Sequence, residues 1–559
     1  MGRNELLVSI MCILPAACSV EQTDNAVSQR GGALSSSAPS FTVVGQTDTG
    51  FLPPDSDGAV SASFVVTTVN NTINVKSRGG TVLLSESLST FWASLGPSNL
   101  TDPQVHFDPF GQRFIVSEAD AFETPNGRLL LAVSQSADPT GAFFFFTEPA
   151  SSGGHTWLDF PQTGFNKKWI VVTGNFAATD SSGFVGEGAW LFDKAALYTG
   201  GPASFTFINM GINAASIPAD TYDDATEDLF ACRSSGTDGG AVDLLRFSGP
   251  IGAETLTLVA TVPSPLPTKV LSADFTLPQA GGTPTSFVFT AGATGFVEPT
   301  CVFRNGAIWT VQGVFPADGP TRLAAQWLQL DTTGAVLDVG RVDDPTGNAS
   351  FWKSSIAANR NDDLIVGSTR FAGDSFPSAA YALHLAGDGA GTTRDPFVYQ
   401  AGAGAYTLSR WGDYSHSQVD PVNDTDFWTI QETTQAANSW ATWWAEVPVA
   451  QTTPTCTEAN AIDLGAPANA VTVANNACLR VRDGYPFWWG TRTMQLQDMS
   501  PGTYPVPFTW SNTCSGGAGS DTFTGDWQTK LLSPTSSSCA TLIQLQGSGS
   551  STIMLRYFG

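Results

Sequence analysis

Charged side chains are scarce in this chain, at 13% of its 559 residues, about half of what an average soluble protein carries. Basic ones are scarcer still: 25 Lys and Arg face 50 Asp and Glu, leaving a net charge of −25 and a pI near 4.3. A surface of that sign repels phosphate backbones and anionic lipid, which argues against nucleic-acid binding and against docking to membranes through basic patches. The chain has only four histidines, His106, His155, His384 and His416, and no H-E-x-x-H. No multi-histidine centre and no metal ligand set is therefore expected. The serine-hydrolase elbow G-x-S-x-G and the phosphate loop G-x-x-x-x-G-K-[ST] are also missing. Helical periodicity is missing too, and the most apolar N-terminal run, LLVSIMCILPAA, is too short to cross a bilayer.

What is abundant belongs to β-structure. Aromatic residues make up 11% of the chain, with many Val, Thr and Ser, the types that fit a pleated surface. A pair of short strands joined by a tight turn recurs seven times between Asp57 and Trp428, most clearly as DPQVHFDPFGQRFIVSEA from Asp102, DFPQTGFNKKWIVVTGN from Asp159 and DYSHSQVDPVNDTDFWTIQE from Asp413. The turns fall at Asp108, Asn166, Asp223, Asn305, Arg360 and Asp420, with a weaker first copy near Ser61. Most spacings agree: 166 − 108 = 58, 223 − 166 = 57, 360 − 305 = 55 and 420 − 360 = 60. The gap from Asp223 to Asn305 is longer and holds PSPLPTKVLSADFTLPQAGGTPTS, which reads as an inserted loop. Units of roughly 40–60 residues with about four strands each predict a β-propeller, here seven-bladed, over residues 41–448. The last unit is one strand short, and Phe41–Gly45 is expected to supply it and close the ring.

Residues 1–18 form a leader with a secretory apolar segment ending at Cys18. Ala16 and Ala17 before Cys18 resemble a lipoprotein cleavage site, so Cys18 is a candidate for lipidation, with simple cleavage as the alternative. Residues 19–40 are polar and aperiodic, a flexible tether. A Pro/Thr linker at 449–455 precedes a C-terminal module, 456–559, of short strands between Gly, Ser and Asn clusters, predicted as a β-sandwich. Its Cys456, Cys478, Cys514 and Cys539 are expected as two disulfides, with 456–478 and 514–539 favoured among three pairings. Cys232 and Cys301 either pair or remain buried thiols. Trp488, Trp489 and Trp527 are candidates for stacking on sugar rings, against the alternative that they fill the module's core.

Residues just ahead of each innermost strand crowd the mouth of a propeller. Counting back six or seven positions from a turn gives Asp102, Asp159 and Asp413, expected to converge on one funnel with Arg410, Trp411 and Tyr414. Glu298, Trp352, Lys353 and His416 lie near. Such a cluster suits a sugar, a cation or a proton-transfer pair. No cofactor is predicted, and calcium is left open as an occupant of the acids. The competing reading is that each Asp caps a turn. In either case, Asn is expected to keep the turn hydrogen bonds and lose only the charge.

The segments PPDSDGAV, SADPTGAFFFF, LDFPQTGFNKKWIVVTGN and RWGDYSHSQVDPVNDTDFWTIQE resemble a group of secreted bacterial propeller proteins, largely uncharacterised. YPFWWGTRTMQLQ, YPVPFTWSN and FTGDWQ are similar to terminal modules on secreted proteins of gliding, predatory soil bacteria. The resemblance implies an exported, modular chain at the outer cell surface or outside the cell, and it implies no reaction. The expectation is a surface-tethered, ligand-binding propeller for an extracellular partner such as a polysaccharide, touching membrane only through a lipid anchor. A glycan-cleaving enzyme and a structural or adhesive surface protein are the alternatives.

Overall fold

A computed structural model of the chain describes residues 34–449, apart from 151–155, 181–182, 213–214, 224–225, 236–239 and 295, and strands between 462 and 558. The chain is all-β. Among the described residues from Asp57 onward, seven four-stranded antiparallel units follow one another, with first strands Asp57–Val60, Thr101–Asp108, Thr156–Phe165, Ile217–Pro218, Phe296–Arg304, Ala349–Ala358 and His416–Val419. They are numbered sheets 1 to 7. A short strand, Asp220–Thr221, pairs in parallel with the first strands of sheets 3 and 5 and ties them into one ladder.

The core is a set of interfaces between successive sheets. Val66 and Val75 of sheet 1 pack on Val105 and Phe114 of sheet 2, and comparable clusters join each later pair up to sheets 6 and 7, where Ile365 and Tyr381 meet Phe427 and Val447. Val60 and Val65 of sheet 1 then pack on Trp428, Ile430 and Trp444 of sheet 7, so the circuit closes. A strand between two such interfaces is covered on both faces, which is why Phe114–Asp120 is buried throughout and reads as a continuous run. Outer strands such as Val82–Ser87 keep one face in water and alternate.

Sheet 7 takes its fourth strand from the N-terminus: Phe41–Thr47 pairs antiparallel with Ser439–Val447, from Phe41 opposite Glu446 to Thr47 opposite Ala441. The strand runs two residues beyond the expected Phe41–Gly45. Residues 35–37, within the expected tether, also bond to the ring. Ser36 N–H donates to Asp395 O at 3.1 Å and Ser37 Oγ to Pro448 O at 2.9 Å. The long insertion carries a small hairpin, Phe275–Thr276 with Val288–Phe289. Its Leu277 and Phe287 join Phe315, Phe371, Tyr406 and Trp411 in a separate apolar cluster.

The repeat turns lie at the far ends of the first strands. Asp108 accepts the N–H groups of Phe110 and Gly111, and Asn166 accepts those of Lys168 and Trp169, so these side chains fix the turns. Cys232 and Cys301 are free, buried thiols with sulfurs 2.9 Å apart. Beyond the ring, strands form a five-stranded and a four-stranded sheet, with Leu479, Phe508, Ile543 and Leu545 buried. Cys478 begins a strand, whereas Cys456, Cys514, Cys539, Trp488, Trp489, Trp527 and Cys18 lie outside the described residues. Among the described residues no helix is long and apolar enough to cross a membrane.

Candidate functional site

The rule of counting back from the turns extends around the whole ring. From Ser61, Asp108 and five later turns it gives Asp55, Asp102, Asp159, Ser216, Glu298, Lys353 and Asp413, since 61 − 55 = 6, 108 − 102 = 6, and the other five differences are 7. Asp55, Ser216 and Asp413 precede their first strands, and Asp102, Asp159, Glu298 and Lys353 lie in the opening residues of theirs, at one mouth of the ring. The backbone there is unusual. Sheets 2, 3, 5 and 6 each carry a bulge, between Thr101 and Gln104, Asp159 and Gln162, Val297 and Cys301, and Trp352 and Ser355. Asp55, Asp102, Phe160 and Lys353 hold φ of 48°, 59°, 53° and 52°, in the left-handed region that non-glycine residues seldom adopt. Bulges at equivalent places re-aim side chains, and their strain is retained where surrounding structure over-determines it.

The carboxyls interlock. Asp413 N–H donates to Asp55 Oδ1 at 2.7 Å, Asn70 Nδ2 to Asp55 Oδ2 at 2.6 Å, and Asp102 N–H to Asn70 Oδ1 at 2.8 Å. Asp102 Oδ2 in turn accepts Phe160 N–H at 3.0 Å. The Asp413 carboxylate is held between Lys353 Nζ at 2.8 Å and Arg410 Nη2 at 2.9 Å. Gly412 brings this segment close. A Cβ there would lie 2.7 Å from Glu432 Oε2 and 3.3 Å from Asp55 N.

Protonation divides the group. Burial raises Asp413, but Lys353 and Arg410 outweigh it and hold the carboxyl below its usual range. Burial, then the Asp413 charge, pushes Asp55 up to about 7, and burial pushes Glu298 to about 7 against Lys353. Asp102 rises through burial and through Asp55, Asp159 and Asp413, and Asp159 through burial and Asp413. Near neutrality the mouth therefore holds an ionised Asp413 beside Asp55 and Glu298, which are partly protonated and so able to donate as well as accept. Several polar atoms here are buried without a partner: Tyr414 OH, Trp352 Nε1, Glu298 Oε1 and Glu432 Oε1. Unsatisfied groups at that density are costly and suit a bound ligand.

Of the sequence candidates, Asp102, Asp159, Asp413, Arg410 and Tyr414 come together. Arg410 and Asp413 form the accessible rim, with side chains 56% and 28% exposed. Tyr414 stacks on Phe160 at 5.0 Å, deeper in. Trp411 departs from expectation: it is buried in the apolar cluster under the insertion, because Phe287 and Phe371 cover its ring. It packs the loop and does not line the mouth. Missed by sequence reasoning were Asp55, which the counting rule finds once Ser61 is taken as a turn, and a half-buried aromatic pair beside Asp159, Trp157 edge-on to Phe122 at 4.6 Å.

The raised acids carry a pH dependence. A carboxyl whose folded pKa exceeds its unfolded value contributes stability fully below about 4, and loses it as pH rises through the folded value near 7 for Asp55 and Glu298. Each accounts for at most about 4 kcal/mol on that scale. The thermal midpoint should fall between pH 5 and pH 8, and Glu298→Gln should flatten that slope. A midpoint that rises over this interval would contradict the assignment.

No protein-family model matches this chain, and neither does any curated protein. Among solved structures, it is similar to the exo-β-1,3-galactanase of Phanerochaete chrysosporium at 10% identity, covering 80% of this chain and 93% of that one, with a TM-score of 0.28. The hemagglutinin-neuraminidase ectodomain of parainfluenza virus 5 matches at 9% identity over 66% and 85%, with a TM-score of 0.35. Trypanosoma rangeli sialidase matches at 9% over 88% and 95%, with a TM-score of 0.33. Likenesses this shallow assign neither a family nor an activity.

Proposed function

We propose that the protein is a seven-bladed β-propeller whose acidic mouth binds a hydroxyl-rich ligand, a polysaccharide, outside the cell. The C-terminal sheets would form a disulfide-bonded sandwich that assists attachment. The observation that carries this reading is the division of the mouth acids. An ionised Asp413 clamped by Lys353 and Arg410 stands beside Asp55, Asp102 and Asp159, all raised. Neutral carboxyls both donate to and accept from hydroxyl groups, and Trp157 with Phe122 offers aromatic surface beside them for sugar C–H faces. The net charge of −25 favours a neutral or cationic ligand over an anionic one.

The same division favours a second reading, glycan hydrolysis, because a protonated acid next to an ionised carboxylate is the pairing that such chemistry uses. A glycan array and a polysaccharide-hydrolysis screen on the full chain separate the two. Binding without release of reducing ends supports capture, and release supports hydrolysis. Trp157→Ala and Asp159→Asn should each weaken binding about tenfold. Wild-type binding by both variants, or no glycan bound by the wild type, would remove the carbohydrate reading.

A further inference from the structure

Below the mouth, the first strands of sheets 2 and 7 and the short strand between sheets 3 and 5 enclose a second cluster that the carbohydrate reading does not use. His106 lies on the first strand of sheet 2, His416 opens that of sheet 7, and Asp220 sits on the short strand between sheets 3 and 5. The two imidazole rings meet edge to face at 5.5 Å. One ring nitrogen of each histidine and one Asp220 oxygen lie within 4.8 Å of one another. They line a cavity of about 20 Å³, shared with Asp57, Gln104, Thr300 and Cys301 among others. That is enough for an occupant the size of one water. All three residues are more than nine-tenths buried.

We propose that His106, His416 and Asp220 form a binding site for zinc or another first-row divalent cation at the centre of the ring. Each histidine has its Nδ1 against a carboxylate, His106 on Asp220 Oδ2 at 2.9 Å and His416 on Asp57 Oδ1 at 3.0 Å. For His416 that contact orients the imidazole and leaves its other ring nitrogen for a cation, whereas His106 Nδ1 and Asp220 Oδ2 are themselves close enough to become two ligands of one cation that displaces the proton between them. His106 Nε2 and Asp220 Oδ1 are both buried without a partner. Asp220 thus keeps an oxygen on which no protein donor sits, able to share in binding the cation. Two nitrogens and one carboxylate oxygen suit zinc, nickel, cobalt or copper, whereas calcium takes oxygens alone. Ligand atoms around tetrahedral zinc lie ~3.4 Å apart, from bond lengths near 2.0–2.2 Å, so each atom needs to move by less than about 1 Å. The three ligands come from segments far apart in the chain, and a cation would hold them together.

The test uses the full-length protein, stripped with a chelator and then titrated with zinc chloride. Wild type should bind about one zinc per chain, raise its thermal midpoint by several degrees, and with cobalt(II) give visible d–d absorption. His106→Gln and His416→Gln should each weaken zinc binding at least tenfold and lose the thermal increment. His384→Gln, whose imidazole bonds Thr392 O, should bind like wild type. Should either site variant fail to fold, wild-type zinc stoichiometry and the cobalt spectrum decide alone. No zinc retained by the wild type would overturn the site. Equal loading of wild type and both folded variants would do the same.

Discussion

Replacing Asp413 by Asn should destabilise the ring by about 3 kcal/mol, the lower end of what breaking a buried ion pair costs, and lower the thermal midpoint by roughly 5 °C or more. The reason is Lys353. Its side chain is 15% exposed, and its ammonium bonds the Asp413 carboxylate at 2.8 Å. The substitution would leave that cation buried without an anionic partner, since the neighbouring Glu298 is itself held toward protonation by burial. The Arg410 contact adds little, because that guanidinium is 56% exposed. Asp102→Asn should behave differently. Burial and three neighbouring acids already keep that carboxyl toward its neutral form, and an amide oxygen in its place still accepts the Phe160 N–H. Its thermal midpoint should stay near wild type. The expectation that Asn loses only a charge is therefore narrowed: little change is predicted for Asp102→Asn and a clear loss for Asp413→Asn. Adding Lys353→Met to Asp413→Asn should recover most of the loss, and calorimetry that finds Asp413→Asn as stable as wild type would contradict the clamp.

Deleting residues 38–47 should have the largest effect on the fold, removing cooperative unfolding of residues 51–448 or lowering the midpoint by more than about 10 °C. The strand Phe41–Thr47 covers the edge of Ser439–Val447, and Phe41 and Val43 pack against the Trp428 and Trp444 cluster that joins sheets 7 and 1. Lys76 Nζ donates to the carbonyls of Val44 and Gly45, the latter at 2.8 Å. Without the strand, that buried ammonium loses its acceptors and an apolar edge, WATWWAEV, opens to pairing with other chains. A calorimetric transition unchanged by the deletion would show that the ring does not depend on this strand.

Much of this was legible because the repeat is local. A turn residue, Asp or Asn, closes most of the hairpins, so the register of the first strands and the mouth positions follow from counting. Asp102, Asp159 and Asp413 were found in that way. Asp55 was not, because the first repeat turns at Ser61 and lacks the Asp or Asn mark. Trp411 was misjudged for a different reason. Its neighbours Arg410 and Asp413 do reach the mouth, but the ring is covered by Phe287 from an insertion more than a hundred positions earlier, a contact no local pattern reports. The approach of His106 to His416 and Asp220 is of the same kind. Scattered singly along the chain, these residues meet only because the circuit of sheets closes.

The most direct test of the mouth as a binding site is a crystal structure of the full chain with the best ligand from the glycan array. The account predicts density at the mouth, with hydroxyls within hydrogen-bond reach of Asp159 and Asp413 and a sugar face against Trp157. Ligand density confined to the C-terminal sheets, with the mouth unchanged, would contradict it.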